Sequence, residues 1–66
     1  MKRSVLVEKR KRRGWNQREL ARMIGCSAAA LCRWERGSRS PNYTHAYAWE
    51  RALGLPAGSI AKGGLQ

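Results

Sequence analysis

The chain contains no Asp and no Phe, and its only acids are Glu8, Glu19, Glu35 and Glu50. His45 is the sole histidine. So few acids and bases offer no plausible pair for proton transfer, which argues against an enzyme. Cysteine is equally sparse. Cys26 and Cys32 stand six residues apart, a spacing that fits no common zinc pattern. Free thiols are expected over a disulfide, with no metal and no cofactor. No apolar run approaches the ~18 residues that would span a bilayer. The apolar stretch at 5–7 is too short for a signal peptide, so the expected location is the cytoplasm. Length excludes more. Sixty-six residues make one domain, without room for an active-site cleft between two lobes. A chain this short buries only about 60% of its unfolded surface, so its stability is marginal.

What is present in abundance is positive charge. Fourteen Lys and Arg face the four Glu, giving a formal net charge of +10 and a pI near 11.2. A pI above ~9 marks a nucleic-acid-binding domain. Phosphates meeting such a surface release their counterions, and that release drives binding.

The pattern along the chain is one of short helices with stops between them. Ser4 is a candidate cap for a first helix over 5–13, with Gly14 just past its end. Asn16, with Glu19 three residues later, makes a capping-box pair for a second helix over 17–24. That helix buries Leu20, Ala21 and either Met23 or Ile24, and Gly25 ends it. Ser27 caps a third helix over 28–36, whose Leu31 and Trp34 point inward. Asn42 caps a fourth over 43–53, with Tyr43, Ala46, Tyr47, Glu50 and Leu53 on its inner face. Pro56 suits the first turn of a short fifth helix over 56–60, weakened by Gly58. The fold class expected is therefore all-α, a compact five-helix domain over 1–66 with an ordered core of about 5–60.

The stretch 17–36, QRELARMIGCSAAALCRWER, meets the demands of two helices packed at a steep angle. Leu20, Ile24, Cys26, Leu31 and Trp34 supply apolar inner faces. Ala21 is small where the helices approach closest, and Gly25 is free to take positive φ in the turn. This segment resembles the Cro and phage-repressor class of helix-turn-helix proteins, also called XRE-like, whose domains have the lambda-repressor fold. The likeness extends outward. Gly14, Trp15, Asn16 and Gln17 are similar to the family's lead-in to the second helix. Arg33, Trp34, Glu35, Arg36 and Gly37 are similar to its exit from the third. Pro41 and the run Ala52, Leu53, Gly54, Leu55 resemble its fourth-helix frame. Arg13 and Glu50 depart from the pattern, which there has apolar or small residues. The positions that commonly read bases carry alanine.

The resemblance implies that the third helix enters the major groove of duplex DNA, with Ala28, Ala29, Cys32 and Arg33 facing base edges. Arg33 can donate two hydrogen bonds to guanine, and the alanine methyls can meet a thymine methyl. Gln17, at the start of the second helix, is implied to hold a phosphate. Ser27 is chiefly a cap whose hydroxyl can reach a phosphate. Arg36, Ser38, Arg39 and Ser40 match the loop that grips the DNA backbone. Glu35 is implied to pair with Arg10, a structural ion pair between the third and first helices. The basic run 9–13 reads as a solvated face or an aid to DNA encounter.

The function expected is that of a sequence-specific transcription regulator, a phage or prophage repressor of Cro type. An antitoxin or a recombination directionality factor would use the same fold. A non-DNA interaction module and a membrane-surface peptide fit less well, because repeated caps and glycine stops break up any long amphipathic helix. The expected partner is a DNA operator, with neither a membrane nor a small-molecule ligand. Leu55, Ile60 and Leu65 suggest a small patch for a homodimer. The alternative is a monomer that pairs only on DNA.

Overall fold

A computed structural model describes residues 2–61. Four helices follow one another: α1 (Arg3–Arg12), α2 (Gln17–Ile24), α3 (Ala28–Arg36) and α4 (Tyr43–Ala52). Among the described residues there is no strand.

The caps at α2, α3 and α4 lie where side-chain chemistry puts them. Asn16 Oδ1 accepts from the Glu19 N–H at 2.8 Å, while Glu19 Oε1 accepts from the Asn16 N–H at 3.0 Å. Ser27 Oγ accepts from Ala30 N–H, and Asn42 Oδ1 from His45 N–H. Each removes an otherwise unpaired donor of the first helical turn. Gly25 closes α2 at φ +89°, and its N–H and that of Cys26 both reach the Ala21 carbonyl. That left-handed geometry lets the chain reverse within Gly25, Cys26 and Ser27 before α3 begins.

The core draws on every helix. Leu6 of α1, Leu20, Ala21 and Ile24 of α2, Leu31 and Trp34 of α3, Ala46 and Trp49 of α4, and Leu53 at its C-cap are all buried. The Trp34 and Trp49 rings meet at 6.0 Å between centroids, tilted by 35°. Along α4 and its C-cap the core positions are 46, 49, 50 and 53, an i, i+3, i+4, i+7 stripe.

Three sequence-based expectations are corrected, and the alternative between Met23 and Ile24 is resolved. The first helix starts earlier, at Arg3, so Ser4 lies in its first turn and does not cap it. Its N-cap is Lys2, whose carbonyl accepts from Val5 and Leu6, and no side chain caps it. The early start has a tertiary cause: Arg3 reaches across to donate to the Trp34 carbonyl at 2.8 Å. Met23 is half exposed while Ile24 is buried. Tyr43 lies beyond the end of the core stripe and is 65% exposed, its ring stacked on Tyr47.

The remaining correction concerns residues 56–61. Residues 56–61 form turns, so the fifth helix is not formed there. Gly58 takes φ +87°, a conformation a right-handed helix cannot contain. The donors of this segment turn instead to Glu50. Its Oε1 accepts from Gly58 N–H at 3.0 Å, and its Oε2 from Ile60 and Ala61 N–H at 2.8 and 2.7 Å. The fully buried carboxylate thus organises a loop that tucks Ile60 and Ala61 into the core. The suggested dimer patch loses Ile60 for that reason, and Leu65 lies outside the described residues.

Candidate nucleic-acid interface

The α3 helix has a buried side and an open side. On a wheel of about 100° per residue, Leu31, Trp34 and Glu35 cluster on one side, all buried. Ala28, Ala29, Cys32 and Arg33 fall within an arc of about 140° on the other. Ala29 and Arg33 are exposed, and Ala28 and Cys32 half-buried. Arg36, also exposed, falls within the same arc, so two methyls, a thiol and two guanidinium groups make up the free surface. Its first turn is small enough for close approach to a surface, and its strong donor groups, Arg33 and Arg36, lie toward the C-terminal end.

Behind that face, three helices meet in a polar knot. Arg10 Nε of α1 lies 2.8 Å from Glu35 Oε2 of α3, and Arg10 Nη2 lies 3.3 Å from Oε1. Arg10 Nη1 also donates to the Trp15 carbonyl at 2.9 Å. Gln17 Nε2, at the first position of α2, donates to Glu35 Oε1 at 2.8 Å. Arg10 and Glu35 are each 8% exposed. The geometry has an electrostatic consequence. Glu35 is the only acid of α3, and a bare carboxylate there would repel a phosphate. Paired with Arg10 and bonded by Gln17, it is neutralised in place. Gln17 is thereby oriented: one amide proton is committed to Glu35, and the other, with the N–H groups at the start of α2, is available to an anion.

A groove of about 430 Å³ runs between the end of α3 and the start of α4, lined by Ala30, Arg33, Trp34, Arg39, Ser40, Asn42 and His45. It brings Arg33, Arg39 and Ser40 together. Ser38 folds back, its Oγ donating to the Arg33 carbonyl at 3.3 Å, and so serves the end of α3. Ser27 Oγ is occupied with its capping bond. Arg36 is exposed outside the groove. Sequence reasoning missed Asn42 and His45 as groove residues. His45, its ring 5.4 Å from that of Trp34, sits in the first turn after the basic loop, and that position was the available signal. Arg3 was missed as well. No local pattern links it to a carbonyl 31 residues away.

Both thiols are free. Burial pushes the Cys26 thiol above its ordinary 9.0, opposed by a backbone hydrogen bond.

The helix-turn-helix family profile matches residues 6–60, most of the chain and every element of this site. The chain belongs to the XRE-type helix-turn-helix family. It is a DNA-binding helix-turn-helix regulator, and its partner is double-stranded DNA. Among curated proteins and among solved structures, nothing matches it. Among the described residues, no helix is long and apolar enough to cross a membrane.

Proposed function

We propose that this regulator is a Cro-type repressor of the kind phages carry, reading an operator with α3 in the major groove. The observation that carries the proposal is the open face of α3, backed by a neutralised Glu35. Arg33 is the base-reading donor, and Ala28, Ala29 and Cys32 supply apolar contact. Gln17 with the start of α2, Arg36 at the last position of α3, and Arg39 and Ser40 beyond it, hold phosphates and set the register without reading sequence. Two copies are proposed to meet on the operator, on half-sites centred about 10–10.5 base pairs apart. Repression follows from occupancy, because a bound copy excludes polymerase from overlapping DNA.

Selection from a random duplex library identifies the operator and its symmetry. Titration of variants on operator and scrambled DNA then separates reading from gripping. Arg33→Ala is expected to cost about 1–3 kcal/mol on the operator and relax the choice at one base pair, with little change on scrambled DNA. Arg39→Ala is expected to weaken both duplexes alike and lower the salt slope by about 1. Equal losses on both duplexes for Arg33→Ala would make Arg33 a backbone contact and remove the main support for base reading by α3.

A further inference from the structure

A second cationic feature lies away from α3. Lys9, Arg12 and Arg13 of the α1 C-terminal end, together with Leu53, line a cleft of about 260 Å³. On the α1 wheel all three cations are turned about 60–160° to one side of Arg10, so they do not join the Glu35 knot. The cleft sits at the far end of α4 from the α3–α4 groove. From Asn42 to Leu53 the helical rise alone covers about 16 Å. Its charge is held in place. Arg13 Nη2 donates to the Leu53 carbonyl at 3.1 Å, and its guanidinium lies 5.4 Å from the Trp15 ring centre. Arg12 pairs with Glu8 at 3.1 Å, but both side chains are largely exposed, at 74% and 62%. An ion pair so exposed is worth little and is readily exchanged for a phosphate.

We infer that this cleft binds a phosphodiester backbone outside the segment read by α3. The chemistry selects that partner. Leu53, the one apolar residue of the lining, is 3% exposed, so the cleft presents no exposed apolar side chain of the kind that anchors a protein partner. It offers guanidinium groups and an ammonium, which suit phosphate oxygens. The phosphates come from one of two sources, the flank of the bound duplex or a second duplex. The inference rests on the DNA-binding reading of the α3 face.

The test uses the full chain and the selected operator in two lengths: trimmed to its footprint, or extended by about one helical turn on each side. Lys9→Gln/Arg12→Gln removes two cleft charges and spares Arg13, which has a structural bond. Lys2→Gln/Arg22→Gln removes two exposed charges elsewhere as a control. The parent protein is expected to bind the long duplex more tightly than the short one. The cleft variant is expected to lose that gain and to show a log–log salt slope on long DNA shallower by about 1.8, which makes the loss from 50 to 200 mM salt about tenfold smaller. The control is expected to keep the length preference. If the phosphates belong to a second duplex, immobilised protein–operator complex captures a labelled free duplex, and the cleft variant does not. Equal binding of long and short DNA without capture in trans overturns the inference, as does an equal loss of length preference in variant and control. Failure of the parent protein to bind the short operator would instead overturn the DNA-reading proposal itself.

Discussion

Two buried acids do different work. Glu35 has a cationic partner and a neutral one, Arg10 and Gln17, and it ties three helices together. Removing one side of such a pair leaves an uncompensated charge in the interior. Arg10→Ala is therefore expected to destabilise the fold by about 3–5 kcal/mol, measured by urea denaturation. Replacing both residues together, as Arg10→Met/Glu35→Leu, is expected to recover much of that loss, because no charge then remains to be solvated. A double variant as unstable as the single one would show that the pair contributes more than its own neutralisation. Cys26 gives a pH-dependent signature. Its thiol is raised above 9.0 by burial, so the folded state holds the proton more tightly than the unfolded chain does. Stability is thus retained below pH 9 and falls as pH rises beyond it. Cys26→Ala removes this component. Denaturation midpoints at pH 8 and pH 10, compared between parent and variant, check the sign.

At the scale of elements, α1 and the 56–61 segment are held by polar anchors, whereas α2, α3 and α4 are held by apolar stripes. In α1 only Leu6 and Arg10 are buried, and Arg3 ties its first turn to the end of α3. The 56–61 segment hangs on the Glu50 carboxylate. Glu50→Gln exchanges one acceptor oxygen for a donor that faces backbone N–H groups. It is expected to cost about 1–3 kcal/mol and to speed amide exchange at Gly58, Ile60 and Ala61 before the rest of the domain opens. Unchanged exchange at these three amides would show that the segment is held by packing of Ile60 and Ala61 alone. Of the elements, α2, α3 and α4 were legible because cap, stripe and stop coincide in sequence within each. The fifth helix was misread because Pro56 favours a helical first turn, while its competitor, Glu50, stands outside the local window.

For the whole molecule, the chain carries a net charge of +10 and its Cα framework extends only 25 × 20 × 18 Å. Such a density repels itself and attracts polyanions. Two opposite salt responses are therefore expected. Thermal stability in calorimetry rises as salt screens the self-repulsion, over a range where the Debye length falls from about 30 Å to about 8 Å. Affinity for DNA falls over the same range, with a log–log slope of about −4 to −5 per subunit if about five phosphates are contacted. A DNA affinity independent of salt would contradict the charge-driven picture.

The sequence by itself determined what is local or compositional. Charge pointed to a polyanionic partner, and the ordered motif around Gly25 pointed to the helix-turn-helix unit, because caps, turns and helix periodicity act over a few residues. The pairing of Arg10 with Glu35 was suggested by the family likeness and not by any spacing, since the two lie 25 residues apart. Only the tertiary structure decided that Gln17 spends an amide proton on Glu35, that Glu50 organises the 56–61 segment, that Arg3 extends α1, and that Lys9, Arg12 and Arg13 share a cleft with Leu53. The reason is common to all four. A charged or polar side chain is long enough to choose among many partners, and the packing of the helices settles which of them is within reach.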